Sequence, residues 1–424
     1  MPGQALPGFR EFYPEETALR SHIFKVWRDV AARYGFDEYD GPPLEPLELY
    51  TAKSGEEIVD QLYAFHDKAG RAVALRPEMT PTLARMVAAR AQALKKPIRW
   101  FSIPQLFRYE RQQRGRLREH FQLNMDLIGE PGPLADAEII AAAIDVQRGL
   151  GFGPDDVRVR IADRRVVYAL LVHAGVADDA MGTTYTVLDK FEREPRKKLH
   201  DRLTAAGLES AVADRALAVG AIRDRATLST ALGELAAGPD VGDDLFACMD
   251  ALDAMGLGEF ADIDLSIVRG LAYYTGIVFE VFDAPRSLRA ICGGGRYDGL
   301  LKALGGVDLP ATGFGMGDVV LSELVRARAT RDHTGPRLDT FLIAVTAEDV
   351  APVLELGHVM RDAGRSVEFA LKAQSMGKQL KLAAARGARR AVIVGPDERA
   401  AGAAIVRDLD AGTEERVAFE RLKQ

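Results

Sequence analysis

Cysteine is scarce in this sequence of 424 residues, which contains only Cys248 and Cys292. Two cysteines with no CxxC pair give neither a disulfide framework nor a cysteine-built zinc site, which favours a reducing compartment. Long apolar runs are also missing. No stretch approaches the roughly 18 residues of a membrane span, and the first residues lack the apolar core of a signal peptide. We therefore expect a cytoplasmic protein with no membrane partner.

The chain also has no excess of positive charge. Its 55 lysines and arginines against 62 aspartates and glutamates give a net charge of −7, which argues against a histone-like basic binder. The common nucleotide fingerprints, GxxxxGK[ST] and a GxGxxG that opens a βαβ unit, are absent. The seven histidines show no metal-ligand spacing, so we assign no catalytic histidine and no metal ligands. The 47% of apolar residues is ordinary for a globular protein of roughly two to four domains.

Hydrophobic periodicity predicts the elements of the first 300 residues. Apolar residues three and four apart predict helices at 16–34, 80–94 and 134–150, and a mostly helical insert at 176–258. Strand-like segments lie at 71–79, 98–109, 119–129, 263–268 and 277–282. The segments 98–109 and 119–129 predict an antiparallel hairpin with a long tip. Thr80 is suited to cap the helix that it opens, and the glycine-rich stretch 292–299 is predicted as a loop.

The C-terminal part has a different texture. Residues 329–338 are typical of a linker, and strands and helices alternate after it, which predicts a compact α/β module. Residues 337–424 carry 14 lysines and arginines against 13 aspartates and glutamates. Six of these cations lie in a stretch without acidic residues: Lys372, Lys378, Lys381, Arg386, Arg389 and Arg390. This stretch predicts a local basic surface suited to nucleic acid, or simply one solvated helix face.

One basic segment could carry phosphate chemistry. Arg108 and Glu110 are two apart on a predicted strand, so they face the same side, and more arginines follow up to Arg118. Arginine forks bind phosphate oxygens, so this segment suits a triphosphate. The alternative is a solvated basic loop.

Two other segments could meet a small ligand. Glu78, at a strand–helix junction, either meets an ammonium group or lies at the surface. Arg269, Tyr273 and Tyr274, bracketed by glycines, either form a polar aromatic pocket for a planar ligand or place one ring in the core and one outside.

Taken in order, these segments resemble the histidyl-tRNA synthetase family of class II aminoacyl-tRNA synthetases along nearly the whole chain. The segments that carry the resemblance are PGFREF (7–12), RPEMTP (76–81), FRYERQQRGRLREHFQ (107–122), VRGLAYYTG (268–276), CGGGRYDGLL (292–301) and GFGMGD (313–318). The RGLxYYTG segment is the one that points to histidine, and it argues against the sister enzymes for threonine, proline and glycine.

The resemblance implies an α+β fold. Residues 1–328 would form the class II catalytic domain, an antiparallel sheet flanked by helices, with 176–258 as a helical insertion. Residues 329–338 would be the linker and 339–424 an α/β anticodon-binding domain. The helix at 16–34 matches the first class motif, which forms the homodimer interface in the family.

The resemblance also assigns roles to individual residues. Arg108 and Arg269 match catalytic arginines at the ATP α-phosphate, Glu110 the carboxylate near the adenine amine, and Arg116 an arginine at the terminal phosphates. The residues that match the histidine-binding set are Glu78, Thr80, Gln122, Asp126, Tyr273 and Tyr274. Arg111 and Gln113 match residues near the acceptor end of the tRNA.

Two positions depart from the family pattern. Ala272 stands where an aspartate is usual, and Val320 stands where the third class motif has an arginine that contacts adenine and the γ-phosphate. Arg116, Arg118 and Arg326 are candidates to replace that cation.

The implied activity is two-step aminoacylation, in which ATP with Mg²⁺ activates L-histidine and the histidyl group passes to tRNA(His). The alternative is a non-catalytic paralogue that regulates histidine biosynthesis. Such paralogues lack an anticodon-binding domain, whereas this sequence keeps one.

Overall fold

The computed structural model describes residues 3–51, 61–110, 115–235, 239–268, 274–328 and 337–423. The chain forms two compact units, Met1–Arg331 and Asp332–Gln424. Most of the predicted linker at 329–338 lies outside the described residues. No helix in the described ranges is long and apolar enough to cross a membrane.

The first unit combines twelve described helices with twelve strands. The helices are α1 (Pro14–Arg33), α2 (Glu48–Thr51), α3 (Thr80–Arg90), α4 (Pro133–Gly149), α5 (Arg164–His173), α6 (Asp178–Leu188), α7 (Arg196–Ala205), α8 (Ser210–Val219), α9 (Arg225–Gly233), α10 (Asp243–Ala254), α11 (Leu300–Gly305) and α12 (Asp318–Arg328). The strands are β1 (Asp37–Glu38), β2 (Leu44–Pro46), β3 (Ala64–His66), β4 (Ala72–Leu75), β5 (Ile98–Ser102), β6 (Gln105–Phe107), β7 (Glu119–Ile128), β8 (Val157–Asp163), β9 (Ala261–Ile263), β10 (Ile277–Asp283), β11 (Cys292–Arg296) and β12 (Ala311–Gly317).

Helix α1 follows directly from its apolar spacing. Pro14 occupies the first turn, where proline costs no hydrogen bond, and two glutamates follow it near the positive end of the helix dipole. Leu19, Ile23, Trp27 and Val30 are buried along one face. They belong to the same apolar core as the buried face of α4. The helix predicted at 16–34 is confirmed.

Nine strands form the central sheet, in the order β1-β5-β7-β12-β11-β10-β8-β9, with β6 paired to β7. From β5 to β8 every neighbouring pair is antiparallel, and only the edge strands β1 and β9 pair in parallel. Helix α4 packs on this sheet together with α1. The predicted sheet flanked by helices is therefore confirmed, with mixed pairing at its two edges.

The predicted hairpin is present, but its first strand is shorter than expected. The segment 98–109 divides into β5 and β6, both antiparallel to β7, and β6 ends at Phe107. Beyond it the backbone N–H of Glu110 donates to the Arg108 carbonyl at 2.8 Å, which turns the chain. The expectation that Arg108 and Glu110 share one face of a strand is therefore wrong.

The glycine-rich stretch predicted as a loop is in fact strand β11. Glycine is depleted in strands, yet here it pairs with β10 on one side and β12 on the other. The packing leaves no space for a side chain, because a Cβ on Gly294 would lie 2.4 Å from the carbonyl oxygen of Gly313. The two neighbouring strands, rather than local propensity, impose the strand.

The strand predicted at 263–268 is also placed differently. Strand β9 ends at Ile263. The Asp264 carboxylate then accepts hydrogen bonds from the backbone N–H of Ser266 at 2.9 Å and from its hydroxyl at 2.6 Å. Such a local side-chain turn competes with the sheet ladder, which explains the early end.

Helices α6 to α10 occupy the segment that the sequence predicts as a helical insert. Leu188, Leu203, Leu217 and Leu252, one from each of four of these helices, are buried in the main apolar core. Short 3-10 turns at Pro239–Gly242 and Gly258–Phe260 flank α10.

The second unit is an α/β module, as expected. Its elements are β13 (Thr340–Ala344), α13 (Val350–Asp362), β14 (Val367–Phe369), α14 (Met376–Ala385), β15 (Arg390–Val394), α15 (Pro396–Ala400), β16 (Ala403–Asp408), β17 (Glu414–Ala418) and α16 (Phe419–Leu422). The sheet order is β14-β13-β15-β16-β17. The first three strands are parallel and the last two join antiparallel.

Candidate active site

A polar cavity of about 120 Å³ lies on the central sheet. Its lining residues are Glu78, Thr80, Arg108, Gln122, Asn124, Asp126, Tyr274, Gly293, Tyr297, Gly313, Phe314 and Gly315. Glu78, Thr80, Arg108, Gln122, Asp126 and Tyr274 are predicted site residues, and the fold brings them together from distant parts of the sequence. A cavity of about 500 Å³ next to it shares Tyr274 and is also lined by Arg164, Arg165 and Asp240. The predicted site residues converge in the smaller cavity, which makes that one the candidate site.

Alternate side chains of strand β7 face the cavity, so this strand forms one of its walls. Gln122, Asn124 and Asp126 line the cavity, whereas Leu123 and Met125 belong to the apolar core on the other face. Sequence reasoning missed Asn124. Gln122, Asn124 and Asp126 are alternate residues of one strand, so this alternation is the signal that could have identified Asn124.

The glycines of β12 make room for these polar side chains. The strand register pairs Gly313 with Asp126 and Gly315 with Asn124. A Cβ on Gly313 would lie 2.3 Å from Oδ1 of Asp126, and a Cβ on Gly315 would lie 2.7 Å from Nε2 of Gln122. The glycine runs thus form the floor of the cavity, in agreement with the expected close backbone approach.

Burial controls the charge of Asp126. Loss of hydration raises the pKa of this carboxyl to about 7, although a hydrogen bond from Tyr297 acts in the opposite direction. The Tyr297 hydroxyl donates to Oδ1 of Asp126 at 2.5 Å. Burial likewise raises the pKa of the Tyr274 hydroxyl, which stays neutral. Near neutral pH the Asp126 carboxyl is therefore partly protonated. An ammonium group beside it would favour the ionised form.

Glu78 and Thr80 lie at the junction between β4 and α3. Glu78 is buried. Thr80 is the first residue of α3 and already helical, and Met79 occupies the cap position without a side-chain hydrogen bond. The prediction that Thr80 caps this helix is therefore wrong, and so is its end near 94, because α3 ends at Arg90. The Thr80 side chain lines the cavity instead.

The other end of the cavity is cationic. Nε of Arg108 donates to the Pro77 carbonyl at 2.9 Å, which fixes the guanidinium against the strand–helix junction. Arg116 forms an ion pair with the buried carboxylate of Glu110. The predicted ATP residues Arg116 and Glu110 are thus in direct contact at the arginine-rich end of the hairpin.

A histidine lies at this cationic end. His120 is two positions before Gln122 on β7, and so on the same face. Burial, and then the nearby charges of Arg108, Arg10 and Arg116, lower the pKa of His120 to about 3. The imidazole is neutral at physiological pH. Sequence reasoning gave His120 no role, although the alternation of β7 extends to it.

Arg10 of the N-terminal PGFREF segment links two elements that surround the site. Arg10 donates from Nε to Oε1 of Glu119 at 2.6 Å and from Nη1 to Oδ2 of Asp318 at 2.8 Å. The Asp318 carboxylate also accepts from the backbone N–H of Phe121 at 2.9 Å. One arginine therefore joins the start of β7 to the start of α12.

Several predicted positions cannot be placed in the site. Arg111, Gln113, Arg269 and Tyr273, together with Ala272, lie outside the described residues. Val320 is described and is buried in the first turn of α12. Among the described residues, no group of three or more His, Cys, Asp or Glu side chains is arranged to hold a metal ion.

A mainly antiparallel sheet that carries an arginine-bearing hairpin and ends in a strand–helix motif is the catalytic domain of a class II aminoacyl-tRNA synthetase. The comparisons with known proteins specify the class further. The family model described as histidyl-tRNA synthetase matches residues 8–318, and one described as anticodon binding domain matches residues 340–424. The chain belongs to the histidyl-tRNA synthetase family.

Relatives of known function match over nearly the whole chain. A histidine–tRNA ligase of Opitutus terrae is 45% identical over 428 residues, covering 99% of this chain and 97% of the relative. The chloroplastic/mitochondrial histidine–tRNA ligase of Arabidopsis thaliana is 38% identical, covering 98% and 85%. The crystal structure of histidyl-tRNA synthetase from Nostoc sp. PCC 7120 superimposes with a TM-score of 0.86 at 25% identity, covering 100% and 99% of the two chains.

Proposed function

We propose that this protein is a histidine–tRNA ligase that activates L-histidine with ATP and transfers it to the 3′ end of tRNA(His). One observation carries the proposal: a single cavity holds the carboxyl groups of Glu78 and Asp126 together with the guanidinium of Arg108. Opposite charges in one polar cavity suit a zwitterionic amino acid whose carboxylate must approach a phosphate.

Histidine binds with its ammonium group at Glu78 and Thr80, joined by Gln122 and Asp126. Tyr274, with Tyr273, contacts the imidazole. Buried polar groups that remain unpaired with an apolar amino acid supply discrimination, because the loss of such hydrogen bonds is costly. Tyr297 donates to Asp126 and holds its carboxyl in position, and the Asn124 side chain donates to the backbone carbonyl of Gln122 at 3.2 Å.

ATP binds at the arginine end of the cavity. Arg108 and Arg269 contact the α-phosphate, Glu110 the adenine amine and Arg116 the terminal phosphates. A carboxylate oxygen of histidine attacks the α-phosphorus in line. A new P–O bond forms as the bond to pyrophosphate breaks, and the leaving pyrophosphate carries the negative charge. The protein positions the reactants and stabilises the charge that develops, without a covalent intermediate.

Magnesium fits this chemistry as a companion of ATP. Mg²⁺ is held in many ATP sites by one or two carboxylates, with phosphate oxygens and water as its other ligands, so a cage of three acidic residues is not required. The ion neutralises phosphate charge when bound. Arg108 and Arg116 would share that task from the protein side.

The tRNA contacts both units. Arg111 and Gln113 meet the acceptor end, and the second unit, as an anticodon-binding domain over 339–424, meets the anticodon. Residues 1–328 act as the catalytic domain, with 176–258 as a helical insertion. The protein works in the cytoplasm as a homodimer joined through the α1 region, where Tyr13 leaves a large apolar ring 64% exposed.

A histidine-dependent ATP–pyrophosphate exchange assay tests the enzyme function. Wild-type protein should exchange label only with histidine present, and Glu78→Gln should raise KM for histidine by at least about tenfold through loss of a charge-assisted contact. If folded protein shows no exchange, the non-catalytic regulatory paralogue becomes the better interpretation. That alternative is not favoured, because the curated relatives at 38–45% identity are ligases.

A further inference from the structure

Three segments meet at one end of the central sheet. Cys292, which begins β11, pairs with Met316 near the end of β12, and Gly317 pairs with Gln122 near the start of β7. The turn 284–291 between β10 and β11, the first turn of α12 and the hairpin residues that lead from Gly115 into β7 therefore gather at the cationic end of the candidate site.

Gly115 marks the point where these segments touch. A Cβ built on Gly115 would lie 3.2 Å from Cγ2 of Val320 and 3.6 Å from Cδ of Arg289. The Arg289 side chain therefore comes within about 7 Å of the Val320 side chain, beside the hairpin backbone that continues into Arg116. A guanidinium extends a few ångströms beyond Cδ, so Arg289 can deliver a cation close to position 320.

The turn that carries Arg289 is rigidly built. The buried Asp283 carboxylate accepts from the backbone N–H of Ser287 at 2.8 Å, from its hydroxyl at 2.7 Å and from the N–H of Leu288 at 3.0 Å. Leu288 and Ala290, on either side of Arg289, pack against the main apolar core. Arg289 itself is exposed, and its position is set by these anchored neighbours.

The other candidate cations are less well placed. Arg116 and Arg118 belong to the hairpin, where the Arg116 side chain reaches Glu110 and the Arg118 guanidinium lies 4.1 Å from the centroid of the Tyr109 ring. Arg326 is six residues beyond Val320 on α12, which puts it about 9 Å along the axis and about 240° around the helix. The contacts at Gly115 place the Arg289 side chain beside position 320.

We propose that Arg289 binds the terminal phosphates of ATP, together with Arg116, and supplies the cation that Val320 does not. This inference rests on the proposed function. A guanidinium fork can hold two phosphate oxygens at once, and two arginines that bind the same flexible polyphosphate restrict it to a geometry suited to in-line attack.

Pyrophosphate exchange without tRNA tests this assignment. We expect Arg289→Ala to raise KM for ATP by about 10- to 100-fold, the loss of one charge-assisted contact, while KM for histidine stays within about twofold. Arg289→Lys, which keeps the charge and loses the fork, should fall between Ala and wild type. Arg225→Ala, which removes an exposed arginine that pairs with Asp250 on the helical insert, is the matched control and should leave both constants unchanged.

The outcomes separate the possibilities. An unchanged KM for ATP in Arg289→Ala overturns the proposal, as does an equal rise in both KM values, or a defect that appears only in aminoacylation with tRNA present. Calorimetric titration of wild-type and variant protein with ATP and Mg²⁺ is the second readout. If wild-type protein shows no histidine-dependent exchange while Arg289→Ala still weakens ATP binding, the proposed function fails and the Arg289 assignment stands.

Discussion

The hydroxyl of Tyr297 reaches past strand β12 and donates to Oδ1 of Asp126 at 2.5 Å, although the two residues are 171 positions apart in the sequence. This bond stabilises the ionised carboxylate, while burial favours the neutral acid and raises the pKa to about 7. The balance between these two effects decides the charge of the proposed histidine site near neutral pH.

Tyr297→Phe removes the donor, so we expect the pKa of Asp126 to rise further. An aspartate is neutral below its pKa, and only the ionised form attracts the ammonium group of histidine. The acid limb of kcat/KM for histidine should therefore move to higher pH, with a larger loss at pH 6 than at pH 8.5. Pyrophosphate exchange measured across this range provides the profile.

Tyr34→Phe is the matched control for this profile. It also removes a tyrosine–aspartate hydrogen bond, to Asp145 at 3.0 Å, away from the cavity. Its pH profile should coincide with that of the wild type. Coincident profiles for Tyr297→Phe and wild type would contradict the role given to this hydroxyl.

Gly313→Ala should damage the histidine site. The new methyl group would lie 2.3 Å from Oδ1 of Asp126 and 2.6 Å from the carbonyl oxygen of Met125, and the backbone oxygen cannot move aside cheaply. We expect KM for histidine to rise at least about tenfold. Gly182→Ala, in helix α6 with nothing within 4 Å, should keep full activity and gain about 0.5–1 kcal/mol of stability. Equal activity of the two variants would argue against a glycine floor.

Arg10→Ala should destabilise the first unit. It leaves the carboxylates of Glu119 and Asp318, which are 1% and 2% exposed at their side chains, without their cation, at a cost of about 3–5 kcal/mol. Urea denaturation measures this loss. Arg28→Ala, from the exposed pair with Glu38, should cost less than about 1 kcal/mol.

The destabilisation by Arg10→Ala should depend on pH. Burial raises the pKa of Asp318, and Arg10 lowers it, so removing Arg10 raises it further. A carboxyl whose pKa is raised in the folded state destabilises the fold where it must ionise. The loss should be greater at pH 8 than at pH 5, and a larger loss at pH 5 would rule out this explanation.

The basic surface of the second unit is smaller than the sequence predicts. Arg386 pairs with Glu368 and Arg389 lies 3.8 Å from Asp339, so acids from other parts of the chain neutralise part of the acid-free stretch. Lys372, Lys378 and Lys381 are exposed.

Replacing each of these three lysines by alanine should weaken tRNA binding and lower its salt dependence by about one phosphate contact. Pyrophosphate exchange, which needs no tRNA, should stay normal. Lys423→Ala, within a pair with Glu355 at 3.3 Å, is the control. Unchanged tRNA affinity in all three lysine variants would favour the solvated helix face.

Local patterns predicted much of this fold. The three- and four-residue spacing in α1 and the alternation in β7 are properties of a few consecutive side chains, so the sequence is enough to read them. Strand β11 is different, because its glycines have no strand propensity and two neighbours impose the pairing. Thr80 shows a similar limit of prediction from local sequence. Threonine is a good capping residue, but here it is the first residue of the helix and its side chain lines the cavity.

The same distinction between local patterns and long-range packing applies to the residues of the candidate site. Glu78, Gln122 and Asp126 are implied by the resemblance to the family, and a stricter use of alternation would have added Asn124. No local pattern connects Arg289 to Val320, because their proximity depends on the register of four strands. Contacts of this kind are decided by the packed sheet.

The glycine floor has a thermodynamic consequence for ligand binding. Gly293, Gly313 and Gly315 have no rotamers, so no side-chain entropy is lost at the floor when a substrate settles on it. The shape of the floor is set by the hydrogen-bonded backbone of the paired strands. Ordering upon binding is therefore confined to the long side chains of the rim, and changes in affinity among variants should arise there, mainly through Arg108 and Gln122.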